Sequence, residues 1–225
     1  MVNVVARVDN LVPIQRVLVS VSDKSGLDRF IPRLLNINPR IHFYSTGGTF
    51  RAIAQILGEG GAATHLTPVS AYTGQPETQG GLVKTLDFKI YLSLLTETHN
   101  DAHQADLART GAVPIDMVVV NLYPFESTVA QAGVTVEEAR ANIDIGGPCM
   151  LRAAAKNYLR VVPVVDPGDY EALLGDLERG EGALDLATRF TYARKAFGHT
   201  AAYDAAIVRF LEQQDAAAVP GAYTL

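Results

Sequence analysis

"IHFYSTGGTFRAIAQIL", residues 41–57, is the stretch whose reading decides the fold. Residues 41–45 form an apolar and aromatic run that predicts a strand, and residues 49–57 read as a helix. Between them stand Ser45, Thr46, Gly47, Gly48 and Thr49, with more glycine and hydroxyl than a tight turn requires. Glycines let the backbone approach a phosphate closely, and the N–H groups at the helix start then point at it. The helix dipole favours the negative charge. The plainer alternative is an ordinary capped strand–helix turn.

Outward from this unit the pattern repeats. Residues 16–22, 41–45, 62–69, 89–95, 115–125 and 161–165 predict strands, with helices between most of them. Pro32 is expected to kink or shorten the helix that starts near Leu27. Pro163 places the last core strand at or near a sheet edge. Strands that are apolar on both faces, alternating with helices, imply a doubly wound and mainly parallel α/β sheet covered on both faces. The boundaries expected are an N-terminal extension over 1–15, the main domain over 16–183, a C-terminal helical arm over 184–213 and a loose tail over 214–225.

Composition agrees with a folded domain. The 225 residues are 48% hydrophobic and 19% charged, with a formal net charge of −5, which argues against a general nucleic-acid binder. The single cysteine, Cys149, permits no intrachain disulfide and fits a reducing, cytoplasmic setting. Residues 1–16 carry Arg7, Asp9 and Asn10 inside the apolar stretch and read neither as a signal peptide nor as a membrane span.

Ligands of such sheets sit beyond the carboxyl ends of the strands. The segments there are rich in Ser, Thr, Gly, Lys, Asn and Tyr: Ser22-Asp23-Lys24, the 45–49 turn, Lys84-Thr85 after a long Gly-rich loop, and Asn121 through Tyr123. Lys84, Tyr123, Asp144 and Lys156 each lie beside a turn or Gly-rich element, where lysine can hold an oxyanion and a half-buried carboxylate needs a partner. A structural Asp–Lys ion pair is the bland alternative. His99 and His103 have metal-ligand spacing without an evident third ligand, so a solvated helix face is the better reading. Cys149 reads as a small hydrophobe and His199 as a hydrogen-bonded packing residue.

"SVSDKSGL", "YSTGGT", "VKTL", "VVVNLYPFESTVA", "GVTVEEARANIDIGGPCMLRAAAKN" and "FGHTAAYDAAI", in this order between about Arg16 and Phe210, closely resemble the IMP cyclohydrolase domain of the bifunctional purine-biosynthesis enzymes. The resemblance implies a methylglyoxal-synthase-like fold and dehydrative closure of 5-formamidoimidazole-4-carboxamide ribotide to IMP, without metal or cofactor. It implies nucleotide contacts at Ser22, Asp23, Lys24, Ser45, Thr46, Gly47, Gly48, Thr85, Asn121 and Ile145, and catalytic positions at Lys84, Tyr123, Asp144 and Lys156. It further implies a homodimer, a transformylase supplied by a separate protein, and no partner in nucleic acid or membrane. No transformylase is expected within residues 1–225. "GGLVKTLDFKIYLSLL" departs from the family pattern: Leu82 replaces an arginine, Asp87 and Phe88 replace His-Pro, and Tyr91-Leu92-Ser93 replace a His-Gly-Gly stretch. Asp87 is expected to weaken anion binding, with Lys89 or Arg152 as compensating cations. A non-catalytic ribotide-binding module on the same fold, and a methylglyoxal synthase, are the competing readings.

Overall fold

A computed structural model of the chain describes residues 4–76, 78 and 83–224. In chain order the elements are β1 (Val12–Pro13), β2 (Arg16–Val21), α1 (Leu27–Ile37), β3 (His42–Ser45), α2 (Gly47–His65), β4 (Leu66–Pro68), α3 (Val69–Thr73), α4 (Phe88–Leu95), α5 (Asp101–Thr110) and β5 (Met117–Asn121). There follow α6 (Phe125–Val129), α7 (Val136–Ala141), α8 (Gly146–Lys156), β6 (Val162–Val164), α9 (Tyr170–Arg179), β7 (Ala183–Leu184) and α10 (Leu186–Glu212).

The main sheet has the order β4-β3-β2-β5-β6, and every pairing in it is parallel. Side chains alternate along each strand with a period of two. Val17, Val19 and Val21 therefore join Phe43, Met117 and Val119 in a core layer under α1 and α9. Leu18, Val118 and Val120 face the opposite layer, with Met150 and Ala154 of α8 and Ala196 of α10. This is the doubly wound α/β sheet that the strand–helix alternation predicts. Pro163 lies in β6 at the sheet edge, where its missing N–H costs no ladder bond.

Three expectations from local pattern need correction. Residues 89–95 are not a strand but the helix α4: the Asp87 carboxylate caps it by accepting from Lys89 N–H at 2.7 Å, and Ile90, Ser93 and Leu94 form its buried face. A short apolar run does not carry enough periodicity to separate these two outcomes. Residues 62–65 belong to α2, which changes direction at Gly58 (φ +67°), so the edge strand β4 starts only at Leu66. Pro32 lies inside α1, which runs through it to Ile37, held by the buried stripe of Leu27, Phe30, Ile31 and Leu34.

The first and last segments are tied to the body of the domain. β1 pairs antiparallel with β7, and Ile14 is fully buried. Arg189 of α10, also fully buried, donates to the carbonyls of Asp9, Asn10, Tyr158, Leu159 and Leu184. Residues Val219–Ala222 form a 3-10 turn, and the Tyr223 hydroxyl donates to Glu137 at 2.8 Å.

Candidate active site

The carboxyl ends of β2, β3 and β5 open onto a cavity of about 260 Å³. Register brings them together: Val21 is level with Asn121, and Val19 with Ser45. The Asn121 carboxamide clamps the loop after β2. Its oxygen accepts from Ser22 N–H (2.7 Å) and Asp23 N–H (2.8 Å), while its nitrogen donates to the Asp23 carbonyl (2.7 Å). Asp23 turns outward, and its carboxyl is held below the usual range chiefly by the Ser25 hydroxyl. Lys24 folds back, with Nζ donating to the Ser22 carbonyl at 3.2 Å.

At the start of α2 the backbone angle favours glycine at position 47, and cations stand at contact distance from where a β-carbon would be at both glycines. Gly47 has φ +47°, and a β-carbon there would lie 3.4 Å from Lys84 Nζ. One placed on Gly48 would lie 3.9 Å from Lys24 Nζ and 4.0 Å from the Arg51 guanidinium. Three cations from three segments thus converge on bare helix N–H groups, and neither Lys84 nor Arg51 has an ion-pair partner among the described residues. This is the electrostatic footprint of an anion site.

The hydroxyls around the turn divide their work. Ser45 is fully buried and donates to the Val19 carbonyl at 2.7 Å; Thr49 bridges the Val21 N–H and carbonyl. Ser45 braces β3 against β2, and Thr49 braces α2 against β2. Thr46 lines the cavity, with its hydroxyl 3.4 Å from that of Ser20.

The opposite wall is built by β5 and the start of α8. Pro124 (φ −76°, ψ 64°) makes a three-residue turn, closed by Phe125 N–H donating to the Tyr123 carbonyl at 2.8 Å. Tyr123 is left half exposed on the cavity wall. Asp144 lies beside it on the same wall. Its Oδ1 accepts from Gly147 N–H at 2.9 Å, and burial raises its carboxyl above the ordinary value, against the lowering pull of the Gly147 and Tyr123 N–H groups. A β-carbon on Gly146 would lie 2.5 Å from the Thr85 hydroxyl, and one on Gly147 would lie 2.7 Å from Asp144 Oδ2 and 2.6 Å from Leu122. The Gly146-Gly147 pair therefore sets how closely α8 approaches the residues of the site.

Of the positions singled out in the sequence, Ser22, Lys24, Thr46, Gly47, Gly48, Lys84, Thr85, Asn121, Tyr123 and Asp144 line this one cavity. Asp23 flanks it, Ile145 is exposed beside it, and Ser45 is turned into the core. Lys156 is not brought to it: the side chain is exposed at the last turn of α8, ten residues or about 15 Å along the helix from Gly146. Arg51 is a cation that sequence reasoning passed over, although its place three residues after Gly48 at a helix start was a usable signal.

The departure at 82–93 has an account in the structure, apart from Leu82, which lies outside the described residues. Asp87 is engaged as a helix cap, not as a pocket carboxylate. Lys89 donates to the Tyr72 carbonyl at 2.9 Å and stands over the Tyr72 ring; Arg152 stacks on Phe197. Neither cation compensates at the cavity. Ser93 exchanges a 2.7 Å hydrogen bond with the Tyr72 hydroxyl, so this segment packs inward. His99 pairs with Asp9, and His103 accepts from Glu97 N–H; among the described residues no group of His, Cys, Asp or Glu is arranged to hold a metal ion. No helix among the described residues is long and apolar enough to cross a membrane.

A parallel doubly wound sheet with a cation-rimmed cavity at its carboxyl edge defines the class: a doubly wound α/β domain. The chain belongs to the MGS-like domain family, whose profile matches residues 27–149. Residues 154–225 match the profile of the AICARFT/IMPCHase bienzyme. The bifunctional purine biosynthesis protein PurH of Magnetococcus marinus is 49% identical over 210 residues, covering 93% of this chain and 38% of that protein. PurH of Sorangium cellulosum is 48% identical over 198 residues, covering 88% of this chain and 36% of its own length. The chain thus spans little more than a third of these relatives. The crystal structure of ForH superposes with a TM-score of 0.74 at 30% identity, covering 88% of this chain and 97% of that one. The likeness to the bifunctional purine enzymes read from the motifs is borne out.

Proposed function

We propose that this chain is an IMP cyclohydrolase that closes the ring of 5-formamidoimidazole-4-carboxamide ribotide with loss of water. The observation that carries the reading is the convergence of Lys24, Lys84 and Arg51 on Gly47-Gly48, facing Tyr123 and Asp144 across one cavity. Lys24, Arg51 and the α2 N–H groups hold the 5′-phosphate. Asp144 accepts from the carboxamide N–H and aims its nitrogen at the formyl carbon. As that carbon becomes tetrahedral, its oxygen gains charge, which the Lys84 ammonium and Tyr123 hydroxyl stabilise. The carboxamide nitrogen gives up one proton and the formamido nitrogen another, the C–O bond of the tetrahedral carbon breaks, the oxygen departs with both protons as water, and the six-membered ring of IMP remains.

Lys156 takes its proton-transfer role from the resemblance alone. Lys156→Ala decides its place: turnover near that of the parent removes it from the mechanism, and a loss of about a hundredfold requires it, the scale of a missing general acid or base. A homodimer through the outer face of α10, where Phe190, Phe197, Val208 and Leu211 are exposed, is the assembly we propose, in a cytoplasmic setting with the formylated substrate supplied by a transformylase. Light scattering that gives the mass of a monomer at micromolar concentration excludes the dimer. The test of the function is conversion of the formylated ribotide to IMP, followed by absorbance. IMP binding without turnover identifies a ribotide-binding module instead, and neither binding nor turnover overturns the reading.

A further inference from the structure

The motif "FGHTAAYDAAI" on α10 has no part in the cavity lining, yet it touches the site from behind. The Tyr203 hydroxyl accepts from Asp144 N–H at 2.9 Å and donates to the Asn142 carbonyl at 3.3 Å. One side-chain oxygen thus binds two backbone groups of the turn that carries Asp144. The ring is buried and packs edge-on against Phe125, 6.1 Å between centroids. Phe125 in turn closes the Tyr123 turn through its N–H. Tyr203 therefore bears on this wall twice, with its ring against Phe125 and its hydroxyl on the backbone of Asp144.

We infer that Tyr203 is a positioning residue, whose hydroxyl fixes the 142–147 turn so that the Asp144 carboxylate faces the reacting carboxamide. The inference rests on the cyclohydrolase reading for its kinetic consequence and on the hydrogen-bond geometry for its structural one. A carboxylate on an unpinned turn samples other orientations, and a displacement on the scale of 1 Å can cost about a hundredfold in rate. Ligand contacts made by Lys24, Lys84 and Arg51 lie on other segments and are unaffected.

Tyr203→Phe keeps the ring and removes the hydroxyl. In the full chain this variant is expected to lower kcat by about ten- to a hundredfold while IMP affinity stays within about threefold. The effect should vanish in an Asp144→Asn background, because residues that act through one another are not additive. Equal loss in both backgrounds, or parent turnover in Tyr203→Phe, overturns the inference. Hydrogen exchange at the Asp144 amide gives a readout independent of activity. Protection is expected to fall in Tyr203→Phe with the Tm little changed. Undiminished protection overturns the inference even where the parent chain proves to have no cyclohydrolase activity, whereas lost protection in an inactive parent sustains the positioning role and rejects the reaction.

Discussion

Asp144 shows how one residue couples stability to function. Burial raises its folded-state carboxyl pKa above the unfolded value, so the neutral form is favoured in the fold. Its contribution to stability is complete below the ordinary value of 3.8 and is lost as pH rises through the raised folded value. Chemistry requires the opposite state, the carboxylate. Asp144→Asn keeps an acceptor for Gly147 N–H and removes the buried charge. It is expected to melt above the parent at pH 7 and to lose turnover by at least about a hundredfold. The acid limb of the parent's pH–rate profile should lie above the 3.8 of an unperturbed carboxyl, and thermal melts with kinetics from pH 3 to 8 check both. At the same scale, Ser45 and Thr49 teach that a hydroxyl in a phosphate-type turn need not face the phosphate: both brace β2.

The elements carry two further predictions. Asp87 caps α4 through Lys89 N–H and does not face the cavity. Asp87→Ala is therefore expected to cost about 1 kcal/mol of stability in urea unfolding, with IMP affinity unchanged. A tighter complex with unchanged stability would return Asp87 to the pocket. Pro32 lies inside α1 without an N–H to donate, and its fixed φ gives back part of that loss through the unfolded chain. Pro32→Ala should stabilise the protein by about 1–2 kcal/mol, read as a higher urea midpoint at constant m-value. The α4 segment also shows the limit of local pattern. "KIYLSLL" has strand-like composition, but capping by Asp87 and the inward face of Ile90, Ser93 and Leu94 make it helical.

At the scale of the whole molecule, Arg189 is the tie between the chain's two ends. Its buried guanidinium donates to five carbonyls, from residues 9 and 10 to 184, and burial lowers its pKa. Arg189→Met leaves several buried acceptors without donors and is expected to cost at least about 3 kcal/mol in equilibrium unfolding. Arg189→Lys should recover part of this, because an ammonium satisfies fewer of the same carbonyls. Unfolding midpoints of the two variants, with hydrogen exchange at residues 10–14, would show whether the β1–β7 pairing is released first.

The strand–helix alternation apart from α4, the parallel sheet, the glycines at 47–48 and 146–147 and the segments that hold the candidate site were legible in the sequence alone. These features rest on local rules: hydrophobic period, turn chemistry, and ligand sites at the carboxyl edge of parallel strands. Which side chains enter the cavity was settled only by tertiary structure. Lys84 and Arg51 reach the glycines while Lys156 stays at the far end of α8, and Tyr203, 59 residues from Asp144 in the chain, holds its turn. The reason is physical: side-chain direction, burial and hydrogen-bond partners arise from packing between distant segments, and no local pattern encodes them.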